Sequence, residues 1–169
     1  MRYMLVMVFT AVLFVSGCTH MHTPKMSRFD MVKIPEFSTQ KSVSLINGQS
    51  DTEQVLFAQN MGHKFYADLN KWTDIAISIT DRELTKRGGK VSNSAEKSMT
   101  LAVLSTKVTT GGWGFRGYLH LHVKTGNDYE KTFEVEVPSG YLYNAADGAL
   151  ARAVVFMLSD ANIISYLCE

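Results

Sequence analysis

The sequence predicts an α+β fold: a two-layer sandwich with a mainly antiparallel sheet and two helices packed on one face. Two observations lead to this prediction. The segment His63–Arg87 has the spacing of one long amphipathic helix, and the segments Tyr118–Lys124 and Lys131–Val137 alternate as strands do. A helix with a single apolar stripe has to pack on a broad surface, and a sheet is the most natural one.

The long helix is predicted from apolar residues at steps of three and four. They are Phe65, Leu69, Trp72, Ile75, Ala76, Ile79 and Leu84. Charged residues occupy the remaining surface, and Lys86 and Arg87 suit the negative C-terminal end of a helix. Gly88 and Gly89 follow directly, and glycine is the usual residue for the left-handed conformation that ends a helix.

Shorter elements precede this helix. Ser42–Ile46 alternates and is expected to form the first core strand, and residues 47–51 form a turn. Asp51 or Thr52 is then expected to cap a short helical turn that holds Val55, Leu56 and Phe57.

The predicted sheet continues after the helix. Lys97–Thr109 is rich in Val, Leu and Thr, and a glycine-rich break at Gly111–Gly117 follows it. In Tyr118–Lys124 the apolar side chains point one way and the polar ones the other. Gly126–Asp128 makes a hairpin turn into Lys131–Val137, and a proline ends that strand.

The C-terminal segment is predicted as a second helix and a final strand. The helix covers Ala145–Ser159 with Asn144 as its N-cap, and the strand covers Ile163–Leu167. Cys168 follows apolar residues and is expected to be buried, because a free cysteine behaves as a small hydrophobe. An intermolecular disulfide or a reactive thiol is the alternative for this residue.

The N-terminus has the pattern of an export signal. Arg2 gives a positive start, residues 4–15 are apolar except for one threonine, and Val15-Ser16-Gly17 leads into Cys18. The apolar run is too short to span a bilayer, which takes about 20 residues. We therefore expect a signal peptide at 1–17, a tether at 18–39 and one domain at 40–169, with a possible edge strand at Met31–Ile34.

The four residues Val15-Ser16-Gly17-Cys18 resemble the lipobox of bacterial lipoproteins. The resemblance implies transfer of diacylglycerol to the Cys18 thiol, cleavage before Cys18 and N-acylation of the new terminus. Thr19 stands where an aspartate favours retention in the inner membrane, so we expect a periplasm-facing anchor in the outer membrane. The alternative is an ordinary secretory signal that contains a cysteine.

The charge balance narrows the choice of partners. Of the 17 Lys and Arg residues only Arg2 lies in the signal segment, so 16 remain against 16 Asp and Glu. The part of the chain after the signal segment thus has a net charge of zero. Without an excess of basic residues, nucleic acid is not expected as a partner.

Two histidines on one strand face are the candidate metal ligands. His120 and His122 point the same way, and Glu134 or Glu136 can lie across the hairpin from them. A solvated face with cross-strand His–Glu pairs is the favoured interpretation, because a third ligand at a recognisable spacing is missing. His20 and His22 add only slightly to the case for a metal.

The segment Gly111–Gly117 is unusual because four glycines surround Trp113, Phe115 and Arg116. One hypothesis is a contact loop in which these three side chains bind a partner or the lipid interface. The other is a bulged hairpin whose aromatic side chains fold back onto the sheet. The sequence does not decide between them.

Recognisable catalytic motifs are missing: the nucleophile elbow, the C-x-x-C pair and the phosphate loop. With its lipobox, its order of elements and a helix ending in DRELTKRGGKV, the chain resembles small envelope lipoproteins of Gram-negative bacteria. These are of the lipopolysaccharide-assembly, penicillin-binding-protein-activator and curli-secretion types. The resemblance implies a non-catalytic adaptor, assembly or secretion factor without a cofactor beyond the lipid. A small-ligand or metal binder and an envelope hydrolase are the alternatives.

Overall fold

The computed structural model describes residues 18–25 and 34–169. In this part of the chain there are eight strands and three helices. In chain order they are β1 Thr19–His22, β2 Ser42–Asn47, β3 Gln54–Asn60, β4 His63–Asp68, α1 Leu69–Lys86, β5 Lys90–Val91, β6 Lys97–Gly111, β7 Gly114–Thr125, β8 Glu130–Ser139, α2 Leu142–Leu158 and α3 Ala161–Cys168.

The larger sheet has five strands in the order β5-β2-β6-β7-β8. The long strands β6, β7 and β8 are antiparallel, whereas β2 runs parallel to both β5 and β6. Helices α1 and α2 cover one face, where the alternate residues of β6 and β7 are buried with Trp72 and Leu150. The predicted α+β class is confirmed. The strands form two sheets, and each sheet contains both parallel and antiparallel pairs.

The second sheet has three strands in the order β1-β4-β3, and two predictions are wrong in this region. Val55, Leu56 and Phe57 lie in β3 instead of a helical turn. The long helix begins at Leu69 instead of near His63, because Asp68 caps it by accepting a hydrogen bond from the Lys71 N–H at 3.0 Å. The predicted helix end is confirmed, with Gly88 at φ +83°.

The C-terminal segment also differs from the prediction. Residues Ala161–Cys168 form a helix instead of a strand, and Asp160 caps it by accepting from the N–H groups of Asn162 and Ile163. Burial opposes ionisation of Asp160, but hydrogen bonds from Lys131 and from those two N–H groups outweigh this effect and lower its pKa. Cys168 is exposed, so its predicted burial is wrong.

Helix α2 begins at Leu142, before the predicted start, and its N-cap residue Tyr141 makes no side-chain capping bond. In the described ranges no single helix has the length and apolar character to cross a membrane. By length and composition α2 and α3 meet that requirement only as a pair, and the two are bent by 62°.

Two parts of the segment 18–39, which the sequence predicts as a tether, contact the domain. Thr19–His22 form β1, parallel to β4. Thr39 is buried, and its hydroxyl donates to the Leu167 carbonyl oxygen at 2.6 Å. Most of the possible edge strand at Met31–Ile34 lies outside the described residues.

Candidate functional site

The segment Gly111–Gly117 joins β6 to β7, and β8 pairs with β7 on its other side as far as Phe115. Gly111 pairs with Gly114, so Gly112 and Trp113 alone make the turn between β6 and β7. The Trp113 side chain is fully exposed, whereas Trp72, the other tryptophan, is fully buried. The predicted glycine-rich break is therefore a short turn, and Trp113 is exposed on it.

The three predicted contact residues differ in their surroundings. Phe115 is half-buried and packs against the core, whereas Arg116 is exposed and forms an ion pair with Glu136 on β8. The hydrogen bond to Glu136 is the main reason that the pKa of Arg116 is raised. A groove of about 430 Å³ is lined by the hairpin turn and by residues 138–140. Trp113 is thus the residue of the three that projects freely.

Gly117 fixes the base of this hairpin against α2. A Cβ atom at this position would lie 2.1 Å from the carbonyl oxygen of Ala145, far inside van der Waals contact. Glycine is therefore required at this point by the close approach of a strand and a helix backbone. This close approach holds β7 against the helix layer.

The candidate metal ligands lie on the uncovered face of the large sheet. His120 is directly opposite Glu134, and the His122 Nδ1 atom lies 3.2 Å from the Thr132 hydroxyl oxygen. Among the described residues there is no group of three or more His, Cys, Asp or Glu side chains placed to hold a metal ion. The strand register pairs His120 with Glu134 and His122 with Thr132.

The N-terminal strand is held by a cluster that the sequence did not predict. His22 is buried, and its Nε2 atom lies 2.6 Å from a carboxylate oxygen of Asp147 on α2. Its ring stacks on Tyr143 with centroids 4.5 Å apart, and its carbonyl oxygen accepts from the Trp72 indole N–H at 3.0 Å. These contacts tie β1 to both large helices.

A second pair of histidines lies nearer the start of β1. The Nε2 atom of His20 is 2.9 Å from the Nδ1 atom of His63, and the His20 ring stacks on Phe65. Cys18 is exposed, and its carbonyl oxygen accepts from the Lys64 backbone N–H at 3.0 Å. The residue predicted to carry lipid therefore lies directly beside the small sheet.

Comparison with known proteins relates the chain to solved structures. No family model matches the sequence, and no curated protein matches it. The chain is similar to protein XCC0632 from Xanthomonas campestris, of the family-model DUF330, with a TM-score of 0.50 and 13% identity, covering 88% of this chain and 94% of that one. It is also similar to the hypothetical protein CT253 from Chlamydia trachomatis, with a TM-score of 0.48 and 12% identity, covering 76% and 98%. At such identities the first likeness shows the fold alone.

Proposed function

We propose that this protein is a non-catalytic adaptor or assembly factor of an envelope complex, anchored through lipid on Cys18 and facing the periplasm from the outer membrane. Its partner contact is the glycine-rich hairpin end, residues 111–114. The observation behind this proposal is the complete exposure of Trp113 at a turn whose base is packed against α2.

An exposed tryptophan at a turn is unfavourable for an isolated domain. Fully burying a large apolar side chain is worth about 1.5–3 kcal/mol, and the chain forgoes this stabilisation at Trp113. Tryptophan is also among the residues enriched where a few contacts supply most of the binding free energy. A free indole on a packed base is therefore best explained by a pocket on another molecule.

The lipid anchor gives the first prediction. Cys18→Ser removes the thiol that diacylglycerol would modify, so the protein should move from the membrane fraction to the soluble fraction. The other cysteine provides a matched control, because Cys168 is also exposed and its replacement by serine should leave the protein in the membrane. Immunoblots of fractionated cells measure both. Retention of Cys18→Ser in the membrane would contradict the anchor.

The partner contact gives the second prediction. A photo-crosslinking amino acid at Gly112, where a Cβ would meet nothing within 4 Å, reports what lies beside the hairpin end in intact cells. Trp113→Ala should reduce the yield of the crosslinked species about tenfold or more, as for a central binding residue.

Phe156→Ala is the control for this experiment, because Phe156 is a partly exposed aromatic residue on α2. It should leave the crosslinked yield unchanged. Trp113→Ala should also leave the free energy of unfolding within about 0.5 kcal/mol of the parent, since its side chain makes few contacts. Equal crosslinking in parent and Trp113→Ala would refute the hairpin contact.

A further inference from the structure

The turn between β3 and β4 carries an unexpected residue. Asn60 pairs with His63, so Met61 and Gly62 alone make the turn, with φ angles of +49° and +80°. Such turns favour Asn, Asp or Gly at the first position, because other side chains are strained at positive φ. Met61 is strained in this way and is also 91% exposed. Neither property helps the domain fold.

This turn lies at the same end of the small sheet as Cys18. Strands β1 and β4 are parallel and begin together, with Thr19 opposite Lys64 and the Cys18 carbonyl bonded to the Lys64 N–H. Lys64 is exposed, so a cationic side chain stands beside the residue that the proposed function acylates. Met61 lies three residues before it.

An apolar row continues from this end across the outer face of the sheet. The strand register places Met21, Tyr66 and Leu56 side by side. Met21 and Leu56 are each about half exposed, at 50% and 49%. The opposite face of the same sheet carries His20, His22 and Phe65, which pack inward.

We propose that Cys18, Met21, Leu56, Met61 and Lys64 form a seating surface that rests in the headgroup region of a phospholipid bilayer, with Met61 reaching the acyl-chain boundary. The inference rests on the proposed lipid anchor. Since acyl chains on Cys18 would start at the edge of a folded sheet, a bilayer must lie against that edge. Methionine is suited to the boundary by its flexible apolar side chain, and Lys64 is suited to lipid phosphates.

The test measures the depth of Met61 in the membrane. The lipidated full chain carries Cys168→Ser and either Met61→Cys or Asp128→Cys, and each new thiol bears an environment-sensitive fluorophore. Asp128 is the matched control, because in the described ranges it is the one other non-glycine residue with positive φ, and it also lies in an exposed turn. The vesicles contain phosphatidylethanolamine and phosphatidylglycerol, with or without a quencher on the lipid chains.

A probe at position 61 should shift to shorter emission wavelengths and be quenched about threefold or more, as at a depth of about 5–10 Å. The probe at 128 should respond as in water. If the chain floats with the vesicles but both probes remain aqueous, the anchor stands and the seating surface is refuted. If the chain does not float, the anchor itself is wrong and both proposals fail.

Met61→Asn separates this role from a role in folding. Asparagine is favoured at positive φ, so the melting temperature of the detergent-solubilised protein should stay the same or rise by about 1–4 °C. A fall in melting temperature would show that Met61 serves the fold and would overturn the argument from its exposure.

Discussion

Replacing Trp72 by alanine is expected to lower the free energy of unfolding by about 3–5 kcal/mol, the range for large aromatic residues in a core. Trp72 is fully buried on α1, and its ring lies 5.7 Å from that of Phe57 on β3. The side chain therefore fills the space between a helix and the small sheet. Its removal leaves a cavity that the packed backbones of these elements can close only in part.

The indole N–H adds a smaller, separable contribution. Trp72→Phe keeps much of the apolar volume but leaves the His22 carbonyl oxygen without its donor, which is expected to cost about 1–3 kcal/mol. Urea unfolding followed by circular dichroism measures both variants, with the midpoint falling and the slope unchanged. The reference is Trp113→Ala; if Trp72→Ala costs no more than that variant, the described packing of α1 is wrong.

The elements with strong local patterns were predictable from the sequence. The alternation in β7 and β8 and the turn between them follow from period two and from Gly126-Asn127-Asp128. The helix end at Gly88 follows from the ease with which glycine adopts the left-handed conformation that ends a helix. In each case the residues that determine the structure are neighbours in the chain, so their physics can be recognised without a tertiary structure.

The failures share a physical cause. Phe65 and Leu69 fit the helical spacing, but residues 63–67 also fit the two-residue alternation of a strand. Pairing with β3 and β1 stabilises this segment as a strand. The turn before residues 63–67 was not recognisable in the sequence, because Met61 occupies it and methionine is not a typical turn residue. The segment 163–167 was ambiguous in the same way, and the cap at Asp160 is the local signal that identifies it as a helix.

The cluster of contacts around His22 could not be predicted from the sequence for a different reason. His22 and Asp147 are 125 positions apart, and nothing near either residue indicates the other. Histidines followed by prolines resemble a linker until the partner strand is known. The exposed Trp113 could be named from the sequence, but its exposure depends on how β6, β7 and α2 pack. Candidate contact residues could thus be predicted from an unusual local composition. The contacts and exposure of those residues could not, because they depend on the tertiary structure.

The close approach at Gly117 leads to the second large expected effect, because its replacement tests how β7 sits on α2. Gly117→Ala removes conformational freedom from the unfolded chain, which alone would stabilise by about 0.4–1 kcal/mol. The overlap with the Ala145 carbonyl oxygen acts in the opposite direction. Inserting an extra carbon into a packed interior costs about 1–3 kcal/mol, and the obstacle in this case is backbone that cannot change rotamer.

The steric overlap is expected to outweigh the entropic gain. Gly117→Ala should therefore lower the urea midpoint, and Gly117→Val should lower it further. Gly112→Ala is the matched control in the same hairpin, because a Cβ at that position meets nothing within 4 Å. Its free energy of unfolding should stay within about 0.5 kcal/mol of the parent. If Gly117→Ala and Gly112→Ala unfold at the same urea concentration, the strand and helix are farther apart than described. The hairpin that presents Trp113 would then lack the packed base on which the proposed contact depends.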